Sequence, residues 1–240
     1  MTKVKINYSS LMVPSYFVER INRFMIKCKL KESGEKVEAH LPDSGRLKEL
    51  LIEGQEVYLL PNDNPKRKTR FSAVCVQSAD SRGWVSINSQ VPNRIAQLAF
   101  SSNILLSYKG WEYVRAEYTK GHSRWDHLLK RDEEQMVVEV KGVTLVNDKK
   151  IGFFPDAVTS RGTKHVLELI EINKEKNWKA SLLFVAQRED IEEIRPATDI
   201  DPVFSEALKS AAKSGVKIVG CRCKVSLDGI QLLDEIPIHI

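Results

Sequence analysis

The chain is poor in residues that staple or anchor a fold. Only four of its 240 residues are cysteine, at positions 28, 75, 221 and 223, and no two form a C-x-x-C pair. That spacing offers neither a zinc knuckle nor a disulfide framework, and it fits buried thiols in a reducing cytosol. No apolar run approaches the roughly 18 residues that a membrane-spanning helix requires. The opening MTKVKINYSS also lacks the apolar core of a secretory signal. These absences lead us to expect a cytoplasmic protein with no membrane partner. There are no internal repeats or low-complexity segments. Helix-turn-helix and zinc-finger patterns, which would read base edges in a major groove, are missing as well.

What is present is enough for a sizeable core. Hydrophobic residues make up 42%, which serves one large domain or two smaller ones. Charged residues reach 29%, above the usual quarter. The net charge of +5 permits a polyanionic partner without demanding one.

The first 80 or so residues read mainly as strands. In RFMIKCKL, Phe24, Ile26, Cys28 and Leu30 alternate with Met25, Lys27, Lys29 and Lys31, a two-faced strand with a mostly basic outer side. KVEAHL, EVYLLP and RFSAVCVQ supply more strands. Asp43-Ser44-Gly45 is expected to cap a short helix over RLKELL. Strands interrupted by a short helix suggest a five-stranded OB-like barrel, a fold that often binds oligonucleotides. The loop NDNPKRKTR carries Lys66, Arg67, Lys68 and Arg70. These four cations repel one another unless an anion compensates. A solubilising loop and a phosphate-backbone contact both fit. Phe71 and Trp84 suit either base stacking or, more simply, core packing.

A break is expected within Ser78–Val91, around SADSR and Gly83. Beyond it, PNRIAQLAF opens a helix with Pro92 at its start. WEYVRAEY, SRWDHLLK and MVVEVKGVTL then read as three strands. SRGTKHVLELIEINKEKN is a helix with Ser160 as candidate cap and Val166, Leu169, Ile170 and Asn173 on one stripe. ASLLFVAQ is a buried strand. DPVFSEALKSAAKSG is a helix capped by Asp201, with Pro202 first and Gly215 ending it, and VKIVGCRCKV is a closing strand. The order is α-β-β-β-α-β-α-β.

Chemistry concentrates between Gly121 and Lys164. Glu139 and Lys141 lie two apart on a strand and therefore share a face. A hairpin through KRDEEQ would bring Asp126 beside Glu139. Two carboxylates are hard oxygen ligands suited to Mg²⁺ or Mn²⁺. A lysine beside them can orient a water or stabilise charge on a phosphate. The plain alternative is an exposed strand edge with ordinary charges. Glu117 and Gln97 read as surface residues, and His122 and His165 as exposed or packing ones.

Asp126 followed by Glu139-Val140-Lys141 resembles the PD-(D/E)xK nuclease superfamily, and the order of elements matches that core. Asp156 also stands in a P-D pair, but it follows the E-x-K and is therefore kept as structural or supporting. Four longer blocks, HLPDSGRLKELL, SRWDHLL, VEVKGVTL and FPDAVTSRGTKHVLEL, together resemble the SfsA family, the sugar fermentation stimulation proteins. The resemblance covers nearly the whole chain. It implies an α+β, α/β molecule with two parts. Residues 1–82 would form an OB-like β-barrel that binds nucleic acid. Residues 83–240 would form a PD-(D/E)xK, restriction-endonuclease-like α/β domain.

The resemblance also implies non-specific DNA binding. Arg46 is carried over for a nucleic-acid role, and the 66–70 loop would grip backbone. Arg161 and Lys164, at a helix start, are candidates for phosphate contact, although Arg161 could instead pair with Asp156. Asp126 and Glu139, with the Val140 carbonyl, would hold Mg²⁺ or Mn²⁺, and Lys141 would position or deprotonate the attacking water. A DNA-binding regulator of maltose metabolism that cuts nothing is the rival reading, and RNA is a further possible partner.

Overall fold

The computed structural model describes residues 4–79 and 83–240. The expected boundary between residues 82 and 83 borders residues 80–82, which lie outside the described residues.

After a short first strand, β1 (Lys5–Asn7), five strands curl into a barrel: β2 (Val13–Asn22), β3 (Met25–Leu30), β4 (Lys36–His40), β5 (Glu56–Pro61) and β6 (Phe71–Gln77). Their hydrogen-bonded order is β4-β3-β2-β5-β6, and β4 pairs back onto β6 at Ala39↔Phe71 and His40↔Ser72. That closure leaves neither β4 nor β6 as a free edge. β7 (Trp84–Ser86) adds to β6. Alternation fills the interior: Ile26 and Cys28 of β3 are buried with Phe17, Val57 and Leu59, while Lys27 between them is half-buried and Lys29 beyond them is exposed.

The helix expected over RLKELL does not form. Leu47 has φ 47°, a left-handed backbone that L-residues rarely adopt and that cannot open an α-helix. Burial of Leu47 and Leu50 in the barrel core offsets that cost. What remains is a tight turn, with the Leu50 and Leu51 N–H groups donating to the Leu47 carbonyl. Asp43 Oδ1 accepts the Gly45 N–H at 2.7 Å, so Asp43 shapes a turn and caps no helix. His40 Nδ1, at the end of β4, meets the Phe24 carbonyl at 3.2 Å.

The second half follows the expected order and adds to it. α1 (Val91–Ser101) precedes β8 (Glu112–Lys120), β9 (Ser123–Arg131) and β10 (Glu134–Val143). Two short strands, β11 (Leu145–Val146) and β12 (Ile151–Phe154), lead to α2 (Ser160–Lys174). Then come β13 (Trp178–Ala186), β14 (Glu193–Pro196), α3 (Pro202–Lys213), β15 (Lys217–Ser226) and β16 (Gly229–Ile236). The main sheet runs β1-β16-β15-β13-β10-β9-β8, with β10, β13 and β15 mutually parallel. β11, β12 and β14 make a separate small sheet.

Helices cover both faces of the main sheet, as a parallel centre requires. α1 buries Ile95, Ala99 and Phe100 against one face, and α2 and α3 bury Val166, Leu169, Phe204 and Leu208 against the other. The cap of α2 is Thr159 rather than Ser160, accepting the Gly162 N–H at 3.0 Å. Asp201 does cap α3, at 2.9 Å from the Phe204 nitrogen, and its other oxygen accepts the Thr159 N–H. All four cysteines are buried and free.

The two halves meet through polar contacts. Arg46 N–H donates to Asp156 Oδ2 at 3.0 Å, and within the barrel half the Arg20 guanidinium holds that turn by donating to the carbonyls of Gly45 and Arg46. Further along, Ser86 N–H donates to the Gln187 carbonyl and Ser89 N–H to that of Pro42.

Candidate active site

The β9–β10 ladder runs from Arg131↔Glu134 to His127↔Val138 and stops there. One residue on, the side chain of Asp126 takes the place of a backbone partner. Its Oδ2 accepts the Val140 N–H at 2.7 Å, and its Oδ1 accepts from Asn93 Nδ2 of α1 at 2.8 Å. The carboxylate is thereby fixed beside the middle residue of Glu139-Val140-Lys141. Glu139 is only 5% exposed. Its Oε1 meets Lys141 Nζ at 2.5 Å and His165 Nδ1 of α2 at 2.7 Å. An ionised carboxylate only accepts, so the His165 proton in this contact sits on Nδ1.

The two acids titrate differently. Burial, and then the charge of Glu139, push Asp126 up to about 6, against the Val140 N–H, Lys141 and Asn93. Burial also pushes Glu139 upward, but hydrogen bonds from His165 and Lys141 and their charges outweigh it and leave Glu139 below its ordinary range. Two close carboxylates, one of them destabilised as an anion by the other, form a hard-oxygen pair that a divalent cation would relieve. Among the described residues no group of three His, Cys, Asp or Glu side chains is set to hold a metal. Two carboxylates form a donor set of the hard-oxygen kind that divalent cations take.

The basic candidates fall in three places. Arg161 and Lys164 line a cleft of about 480 Å³ with His122, Arg124 and His165, and so border the Glu139 cluster. Among the described residues Arg161 makes no ion pair; Asp156 faces Arg46 instead. Lys164 and Arg124 lie 3.5 and 3.6 Å from Glu168 and Glu117. Lys66, Arg67, Lys68 and Arg70 occupy the β5–β6 connection. Arg67 donates to Ser72 Oγ at 2.9 Å. Lys68 and Arg70 line a cleft with Glu35 and Glu38 that shares no residue with the first. Arg46 borders a third cleft, between barrel and sheet. Phe71 packs on the barrel core, and Trp84 stands edge-on to Tyr58 at 4.9 Å. Glu117 and Gln97 are exposed.

The sequence reading missed Asn93, His165 and Arg20. His165 did leave a signal, because a polar residue stands on the buried stripe that Val166 and Leu169 continue. Arg20 left none, since the turn it holds, at Asp43, Gly45 and Arg46, lies 23 to 26 residues away.

A closed five-stranded barrel joined to this α/β sheet defines an OB domain coupled to a restriction-endonuclease-like domain. The family model described as "SfsA N-terminal OB domain" matches residues 18–87, and the one described as "Sugar fermentation stimulation protein RE domain" matches residues 90–229. The chain belongs to the SfsA family. A sugar fermentation stimulation protein homolog of Shouchella clausii is 40% identical, over 93% of this chain and 96% of its own. The homolog of Acetivibrio thermocellus is 38% identical over 95% and 97%. The structure of Pyrococcus furiosus SfsA in complex with Ca²⁺ superposes over 100% of both chains, with a TM-score of 0.88 and 24% identity.

Proposed function

We propose that this protein binds DNA through its backbone, without sequence preference, and hydrolyses phosphodiesters at Asp126, Glu139 and Lys141 with Mg²⁺ or Mn²⁺. The observation that carries this reading is the 2.7 Å bond from the Val140 N–H to Asp126, which ties the first acid to the centre of the Glu-Val-Lys segment. The Pyrococcus furiosus relative is a complex with Ca²⁺, a cation of the hard class that two carboxylates suit. A divalent ion, when bound, supplies Lewis-acid polarisation of the phosphate and a more acidic water. Asp126 and Glu139 would hold it, and Lys141 would orient the attacking water. Arg161 and Lys164 would take flanking phosphates, and Lys66, Arg67, Lys68, Arg70 and Arg46 would grip backbone further out. In this reading residues 1–82 grip and residues 83–240 cut. Four buried thiols, none in a disulfide, support a cytoplasmic setting.

A second reading is a DNA-binding regulator of sugar metabolism that cuts nothing. It is favoured by the engagement of Glu139 Oε1 by two donors, which satisfies that oxygen without an ion. Labelled single- and double-stranded DNA, incubated with Mn²⁺ or Mg²⁺, separates the two. Cleavage by the parent and none by Asp126→Ala or Lys141→Ala establishes the nuclease. Binding without cleavage, equal in all three, establishes the regulator. RNA of the same length, run alongside, tests the target.

A further inference from the structure

The first turn of α1 reaches the place where β9 and β10 part. Pro92 packs on β10 at Gly142, where an added Cβ would stand 3.0 Å from Pro92 Cγ. The bare backbone of Gly142 lets α1 come this close, and the next residue of the helix, Asn93, meets Asp126. Its Nδ2 donates to Asp126 Oδ1 at 2.8 Å. The other carboxylate oxygen is held by the Val140 N–H. Asp126 is thus pinned between α1 on one side and the Glu139-Val140-Lys141 segment on the other. The Asn93 amide has a second polar atom, its oxygen. Among the described residues that oxygen has no hydrogen-bond partner. Asn93 is half-buried, and its oxygen does not belong with the buried polar atoms that lack a partner, so solvent reaches it. An accessible, unengaged amide oxygen therefore stands on the residue that touches the first acid of the site. Amide oxygens are hard donors, and divalent cations take them alongside carboxylates.

We propose that Asn93 is a third oxygen ligand of the divalent cation that Asp126 and Glu139 would hold. The inference rests on the metal reading of that site and deepens it. Without a cation the amide turns Nδ2 to Asp126, because an ionised carboxylate only accepts. The χ2 torsion of asparagine is roughly two-fold. A half-turn about Cβ–Cγ therefore puts Oδ1 where Nδ2 stands, 2.8 Å from Asp126 Oδ1. Two oxygens that close repel unless a cation lies against both. In octahedral coordination at about 2.1 Å, neighbouring ligand oxygens stand roughly 3.0 Å apart, which is close to the spacing seen here. One side chain thus holds the carboxylate ready and then joins the shell of the ion. The choice of amide over acid has a reason. Among the described residues no third His, Cys, Asp or Glu completes the group. A third carboxylate would raise the repulsion between Asp126 and Glu139, and it would oppose an approaching phosphate. An amide adds an oxygen and no charge.

The test is calorimetric titration of the full chain with Ca²⁺ alone, without nucleic acid, so that cleavage plays no part. Thermal melts in chelator and in Ca²⁺ run alongside. The variants are Asn93→Ala, Asn93→Asp and, for the site itself, Asp126→Ala. Asn93→Ala loses the oxygen and the donor together, and it should bind Ca²⁺ about tenfold more weakly than the parent. Asn93→Asp loses the donor, keeps an oxygen and adds a charge. It should bind Ca²⁺ at least as tightly as the parent. It should also melt lower in chelator and rise further with Ca²⁺. A residue that only donates to Asp126 gives the other pattern, with both variants weakened, and that result overturns the ligand. Equal affinity in the parent and both variants overturns it too. If Asn93→Ala fails to fold, as its melt in chelator shows, Asn93→Asp against the parent decides. A parent that binds no Ca²⁺, or binds it equally after Asp126→Ala, overturns the metal site and the role of Asn93 with it.

Discussion

Two donors, His165 Nδ1 and Lys141 Nζ, meet the same oxygen of Glu139. That leaves Oε2 as the oxygen free to face a cation, and it makes His165 a positioning residue on the proposed reading. Removing such a partner of a metal-ligating carboxylate typically costs 10–100-fold. His165→Ala should therefore slow single-turnover cleavage by about that factor at unchanged DNA affinity. His165→Asn, whose amide can donate in place of Nδ1, should recover part of it. Equal losses in both variants would mean that His165 only packs. His127, next to Asp126, behaves differently. It is 2% exposed between Phe100 and Tyr113, and neither ring nitrogen has a hydrogen-bond partner. Burial pulls it from 6.5 down to about 4. A folded-state value below the unfolded one means that the native protein binds fewer protons. Its contribution to stability is therefore whole above about pH 6.5 and drains away as pH falls toward 4. His127→Leu should remove that loss. Relative to the parent it should gain about 3 kcal/mol on acidification from pH 7.5 to 4, seen as roughly 6–12 °C in paired melts. Parallel melting of parent and variant across that range would dismiss the idea.

Helix starts show how far local sequence reaches. Asp201-Pro202 at the head of α3 is legible, because a capping carboxylate followed by proline is a purely local device. The start of α2 is off by one residue: Thr159 and Ser160 are both good caps, and the choice falls to Thr159 because Asp201, 42 residues on, holds its N–H. One carboxylate thus serves both helix entries. Asp201→Ala should cost about 2–3 kcal/mol in urea unfolding, and Thr159→Ala about 1. Equal costs would mean that the shared contact is worth nothing. The turn at Leu47 was illegible for a related reason. RLKELL has ordinary helical spacing, and only the barrel core, by claiming both Leu47 and Leu50, overrides it.

At the scale of the whole molecule, the periodic strands and amphipathic helices of the α-β-β-β-α-β-α-β frame were readable, and so was the adjacency of β9 and β10 that brings Asp126 to Val140. What crosses between distant segments was not. Arg20 on the Gly45 carbonyl depends on the closed barrel, and Asp156 on the Arg46 amide and the Gln187 carbonyl on the Ser86 amide depend on how barrel and sheet pack. The basic residues, likewise, are spread over three separate clefts rather than one track. Backbone binding predicts that affinity falls steeply with salt and varies little with sequence. Lys68→Ala with Arg70→Ala should weaken binding to all duplexes alike and reduce the slope of log K against log salt by up to two. An unaltered slope would remove the β5–β6 loop from the interface.

β1 pairs with β16 through Lys5↔Gln231 and Ile6↔Ile230, and Leu232 N–H donates to the Val4 carbonyl. The first described residues of the chain thus find their place beside almost the last. On a ribosome adding roughly 5–20 residues per second, that partner arrives roughly ten to forty seconds after β1 is made. The barrel can close early, from neighbouring strands, but the outer edge of the main sheet is sealed only once synthesis is nearly over. Until then Val4 and Ile6, both destined for the core, wait without cover. A fusion at the N-terminus that slows this late docking would show itself as poor yield of folded protein, with the Asp126, Glu139 and Lys141 cluster itself untouched.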